Sequence, residues 1–98
     1  MEKFRAHRPL PLVKQLIGEG LVRATFTATK HAEALGFSAE DMFDVVLALK
    51  AADFYKSMTT YADNSVWQDV YHAQTPVGPI YLKLTVINDV LIVAFKEL

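Results

Sequence analysis

Two stretches of the chain, DFYKSMTTYADNSVWQDVY from Asp53 and YLKLTVINDVLIVAFKEL from Tyr81, set Lys56, Gln68, Tyr81, Lys83 and Lys96 among aromatic and β-branched residues suited to burial. Ammonium groups attract anions, a carboxamide donates and accepts hydrogen bonds, and a phenol hydroxyl can do both beside them. Other chemistries lack their residues. Without cysteine there is no thiol nucleophile, disulfide framework or Cys–zinc site. No two carboxylates are paired for acid–base catalysis, and no glycine-rich phosphate loop is present. His7, His31 and His72 lack the spacing of a metal site or a catalytic pair, and read as separate surface residues.

Whether the polar residues act together depends on which face of a sheet each occupies. A two-residue turn at Asn88-Asp89 would pair Ile87 with Val90, Thr85 with Ile92, Lys83 with Ala94 and Tyr81 with Lys96. Leu82, Leu84, Val86, Leu91, Val93 and Phe95 then form a wholly apolar core face. Tyr81 and Lys96 lie opposed on the other face, with Cβ atoms about 4.5–5.5 Å apart, close enough to act on one bound group. The preceding hairpin allows two registers. A loop of Tyr61-Ala62-Asp63 sets Lys56 opposite Gln68, and a slip of one residue separates them. A plainer reading stands beside this one: lysines that discourage aggregation at strand edges, a Tyr81 that keeps its hydroxyl wet, a Gln68 that faces solvent, and Tyr55 and Trp67 as packing residues.

The elements that must hold these residues follow from a change of period. PLVKQLIGEG reads as a helix with Pro11 in its first turn, and TATKHAEALG as a second, capped by Thr27 and stopped by Gly36. A third starts at Ser38 with Asp41 in the capping-box position, and carries Met42, Val45, Val46 and Leu49 as an apolar stripe. From Asp53 onward the period is two. FYKSMTTY, SVWQDVYH, PIYLKLTVI and VLIVAFK read as strands joined at Ala62-Asp63-Asn64, at a longer turn from Thr75 to Pro79, and at Asn88-Asp89. The expected fold is α+β, with N-terminal helices packed on an antiparallel sheet of hairpin-connected strands.

Ninety-eight residues, 52% of them apolar, suit a single domain over residues 1–98 that needs no staple. The start, MEKFRAHRPL, has no apolar signal region and no apolar run approaches 18 residues, so a cytoplasmic protein with no membrane partner is expected. The net charge of −1 hides an asymmetry, because residues 1–30 hold six Lys or Arg against Glu2 and Glu19. Such an arm, with Lys3, Arg5, Arg8 and Arg23, either attracts an acidic partner such as nucleic acid or is simply a solvated surface.

The same two stretches closely resemble the motility quorum-sensing regulator (MqsR) family of bacterial toxins. The likeness runs through the chain without gaps and is strongest from Asp53 to Glu97. It implies an mRNA interferase with a fold like the RelE and YoeB ribonuclease toxins, cleaving mRNA preferentially at GCU without the ribosome. It implies active-site residues at Lys56, Gln68, Tyr81 and Lys96, the polar residues isolated by the faces. It also implies an antitoxin partner, the zinc-binding MqsA with its helix-turn-helix part, so that DNA is met only through the antitoxin. Departures from the family lie in the N-terminal half and in the loop HAQTPVGP.

The expected reaction is attack of a 2′-hydroxyl on its neighbouring phosphate, with no metal or other cofactor. Lysines would stabilise the phosphorane, and Tyr81 beside Lys96 would serve proton transfer. Lys3, Arg5, Arg8, Arg23 and Lys83 are the expected RNA-binding residues. The alternative is a non-catalytic module that holds RNA or protein through a sheet edge and the basic arm.

Overall fold

Local sequence starts and stops three helices. The computed structural model describes residues Met1–Leu98 and contains β1 (Glu2–Lys3), α1 (Leu10–Gly18), β2 (Val22–Ala24), α2 (Phe26–Ala34) and α3 (Ala39–Leu47). A 3-10 turn at Ala51–Asp53 leads to β3 (Phe54–Thr59), β4 (Trp67–Thr75), β5 (Gly78–Val86) and β6 (Val90–Glu97). At α3 the capping box forms: Asp41 N–H donates to Ser38 Oγ at 3.1 Å, and Ser38 N–H donates to Asp41 Oδ2 at 2.9 Å. Those two bonds hold the Asp41 carboxyl below its ordinary titration range.

The cap of α2 is Thr25, not Thr27. Thr25 is still extended where β2 leaves the sheet, with its N–H on Ile92 O, so the helix begins at once and Ala28 N–H donates to Thr25 Oγ1. Gly36 ends α2 as expected, at φ +88°, while Phe37 N–H closes back on Ala32 O.

The six strands form one sheet in the order β1-β3-β4-β5-β6-β2, antiparallel except for β2 against β6. The outer strands come from the helical half and were not expected. Two and three residues carry too little alternation to read, and their partners are far away in sequence. The β4–β5 connection is tighter than the expected Thr75–Pro79 turn: Thr75 pairs with Gly78, whose φ of +109° closes the two-residue turn Pro76-Val77.

The last hairpin combines a confirmed pairing with a corrected one. Tyr81 pairs with Lys96 and Lys83 with Ala94, as expected. Nearer the turn the register steps by one, to Leu84–Ile92, Thr85–Leu91 and Val86–Val90. The connection is therefore the three residues Ile87-Asn88-Asp89, and Val93 is the extra residue of a bulge that restores the far register. The slip turns Val90 and Ile92 into the core in place of Leu91 and Val93.

All three helices cover one face of the sheet. Val13 and Ile17 of α1, Ala28 and Ala32 of α2, and Met42 and Val46 of α3 meet Tyr71, Ile80, Leu82, Leu84, Ile92 and Phe95. Each large apolar side chain buried there contributes about 1.5–3 kcal/mol relative to exposure. Burial pushes the Tyr71 phenol up to about 12, with the nearby Asp69 adding to the shift. No helix covers the opposite face, which is where the polar residues stand.

Candidate functional site on the open sheet face

Cross-strand pairing arranges the open face in rows. Tyr81 pairs with His72 on one side and Lys96 on the other, giving a row His72–Tyr81–Lys96 across β4, β5 and β6. The next row is Lys56–Val70–Lys83–Ala94, and a third is Glu2–Met58–Gln68. Lys56, Gln68, Tyr81 and Lys96 thus share one face. They do not converge on a point, because Gln68 lies two rows from Tyr81, about 13 Å along the strand at ~3.3 Å per residue. Lys56 opposes Val70 and Gln68 opposes Met58, so neither simple register of that hairpin holds: the two are same-face diagonal neighbours. The loop is longer than Tyr61-Ala62-Asp63, closing where Thr60 N–H donates to Val66 O.

A bulge between Phe54 and Lys56 leaves Tyr55 without a strand partner. Its ring turns onto His72, with centroids 4.4 Å apart and planes within 24°. His72 in turn lies 6.4 Å from the Tyr81 ring, and Lys96 Nζ stands 5.4 Å from the centroid of Tyr81. The result is a continuous line from Tyr55 through His72 and Tyr81 to Lys96. Tyr55 and His72 were absent from the expected site. His72 could have been found, since it alternates with Gln68 and Val70 on one strand. Tyr55 could not, because nothing local marks the bulge.

Charge on this face is mostly positive. Burial, and then repulsion from Lys96, lower the titration of Lys83. Lys56 Nζ bonds Glu2 Oε2 at 2.5 Å, and that bond raises the lysine's titration while its partial burial opposes the shift. Val70 is fully buried between Lys56 and Lys83 although it faces away from the helices, which fits lysine stems laid over it.

The expected RNA-binding residues are dispersed. Only Lys83 joins the rows. Arg23 forks onto Asp89, at 2.6 Å from Nε and 3.2 Å from Nη2, at the β2 end of the sheet. Lys3 Nζ sits 4.1 Å over the Trp67 ring and 2.9 Å from His7 Nδ1, on the helix side of the sheet. His7 stacks on Trp67, and the N–H groups of His7 and Arg8 donate to the buried Asp69 carboxylate. Burial, helped by Lys3 and Arg8, holds the His7 imidazole below its ordinary titration. Arg5 is exposed.

A flat, cationic face with an aromatic line is poorly shaped for a small molecule, which needs a concave and mostly apolar site. The surface clefts, about 210 to 420 Å³ in volume, are lined by other residues, Lys96 and Thr85 being the ones that also belong to this face. The face is better suited to a chain-like anion laid across the strands, with phosphates on the lysines and bases on the rings.

Residues 5–97 match the family model described as motility quorum-sensing regulator, toxin of MqsA. Over 97 residues the chain is 50% identical to a protein of Escherichia coli (strain K12), the mRNA interferase toxin MqsR, with 99% of each chain covered.

Proposed function

We propose that this chain, which belongs to the motility quorum-sensing regulator toxin family, is a metal-independent endoribonuclease that cleaves mRNA and halts translation. The observation that carries the reading is the opposed pair Tyr81–Lys96, in line with a ring stack and beside a second lysine, on a face that no helix covers. Attack of a 2′-hydroxyl on the adjacent phosphorus breaks the bond to the 5′-oxygen. It leaves a 2′,3′-cyclic phosphate and a 5′-hydroxyl. Charge on the phosphorane is met by Lys96 and Lys83, whose mutual repulsion an anion relieves. Tyr81 donates to the leaving oxygen. Lys56 is reached once substrate displaces Glu2, and Gln68, two rows away, contacts a neighbouring nucleotide. Unpaired RNA is the substrate form whose bases can splay onto Tyr55.

The fold is read as RelE-like and the domain as residues 1–98, acting in the cytoplasm on GCU-containing messages. The partner is an MqsA-like antitoxin that binds zinc and carries a helix-turn-helix, through which DNA is met. No helix here is long and apolar enough to cross a membrane.

The test is incubation of purified protein with a GCU-containing RNA in EDTA. A discrete new 5′-hydroxyl end and a cyclic phosphate are expected. Cleavage abolished by the chelator and restored by magnesium would remove the metal-independent mechanism. Intact RNA that stays bound would favour the non-catalytic module.

A further inference from the structure

Lysine and tyrosine side chains ordinarily titrate near 10, which leaves the expected set of Lys56, Gln68, Tyr81 and Lys96 with no group suited to accept a proton at neutral pH. Imidazole is the side chain whose ordinary titration falls in that range. The three histidines are placed very differently. His7 is stacked on Trp67 with Nδ1 engaged by Lys3, on the far side of the sheet. His31 lies on α2 and lines a cleft with Lys96 and Glu97. His72 stands inside the row of polar residues, directly paired with Tyr81.

We propose that His72 is a further catalytic residue, the base that takes the 2′-hydroxyl proton; this rests on the ribonuclease reading above. Its ring is stacked on Tyr55 at 4.4 Å, which sets the plane in which both nitrogens lie. Neither nitrogen is a buried atom lacking a partner, and neither bonds within the protein, so both are open to a bound group. The ionisable groups facing it are Tyr55 and Lys56 from β3 and Tyr81 and Lys83 from β5, with Lys96 of β6 beyond Tyr81. None of these is a carboxylate. The Glu2 carboxylate on this face is bonded to Lys56, and no carboxylate bonds the His72 ring.

The step balances within the site. His72 accepts the proton of the 2′-hydroxyl as that oxygen bonds to phosphorus. The phosphorus–O5′ bond breaks, and Tyr81 gives its proton to the leaving oxygen. The proton then passes from His72 to Tyr81 through solvent, which restores both groups.

Two variants and one measurement on the unaltered protein test the proposal. His72→Phe keeps a ring for Tyr55 to stack on, and His72→Gln keeps a hydrogen-bonding group. Both should lose about 10²- to 10⁴-fold in kcat, with KM little changed, and both should lose the rise of kcat with pH on the acid side. His31→Gln should keep that rise. In the unaltered protein, the His72 ring resonances should move when a GCU RNA with a 2′-deoxy group at the cleaved position binds. If His72→Phe cleaves at the wild-type rate, stacking is the whole role of the ring and the proposal falls. It falls equally if either variant keeps the acid limb, if the limb follows His31, or if the ring resonances stay in place. Cyclic-phosphate ends made by the wild type, with sensitivity to Tyr81→Phe, keep the ribonuclease reading standing in all those cases. Their absence overturns both.

Discussion

Tyr81, Lys83 and Lys96 carry the sharpest tests at the scale of single residues. Cross-strand pairs at exposed positions contribute only about 0.2–1 kcal/mol to stability, whereas a preorganised donor at a reacting centre is worth ~10²–10³ in rate. Lys96→Ala and Tyr81→Phe should therefore leave thermal melting nearly unchanged while suppressing RNA cleavage. Wild-type cleavage by Lys96→Ala would take Lys96 out of the site. Lys83 behaves differently, since its titration is lowered by burial and then by Lys96. In neutral solution both folded and unfolded chains hold the Lys83 proton, so the folded state bears the full penalty. As pH rises through the lowered folded value towards 10.5, the folded chain releases its proton first and the penalty lifts. Lys83→Met should thus raise the melting temperature at pH 7, with a gain that shrinks towards pH 10.5. A lower melting temperature for Lys83→Met at pH 7 would show that the lysine is not strained by its setting.

Elements decide which of these residues meet. Alternation along β5 places Leu82 and Leu84 in the core and Tyr81 and Lys83 outside, and both placements hold. The same alternation carried along β6 fails at Val93, where the bulge turns the strand over. Ile92 is fully buried and Leu91 only partly so, the reverse of the expected faces. Ile92→Ala should cost about 2–5 kcal/mol in chemical denaturation, as should Leu84→Ala. Leu91→Ala should cost clearly less, and equal losses for Leu91 and Ile92 would contradict the bulge. The second bulge, at Tyr55, has the opposite consequence. By freeing one residue from pairing it brings a ring over His72, a contact that regular pairing would not make. β1 acts similarly at the sheet edge, since pairing Glu2 with Met58 brings its carboxylate to Lys56.

For the molecule as a whole, charge is distributed by tertiary structure and not by position in the chain. Residues 1–30 look like a basic arm, yet Arg23 is committed to Asp89 and Lys3 to the Trp67 corner. RNA affinity should follow the sheet face instead. For single-stranded RNA, log affinity falls with log salt by a slope of about 0.7 for every phosphate that a lysine neutralises. Lys83→Met should flatten the slope by about that much, and Lys3→Met should barely change it, as read by binding of uncleavable RNA over a salt series. An effect from Lys3 equal to that from Lys83 would restore the arm to the mechanism. Neighbours along the chain were enough to set the local features. Ser38 and Asp41 made their capping box, Gly36 ended its helix, and the period of two along β5 set Leu82 and Leu84 inward and Tyr81 and Lys83 outward. Tertiary packing produced the bulges at Tyr55 and Val93, the pairing of Tyr81 with Lys96 that the Val93 bulge restores, the edge strands β1 and β2, and the stack that brings His72 into line with Tyr81. Alternation and capping act over two to four residues and leave a local mark. Bulges and edge pairing arise where a strand must satisfy a distant partner and the helices packed on it at once, and that compromise has no single position in the sequence.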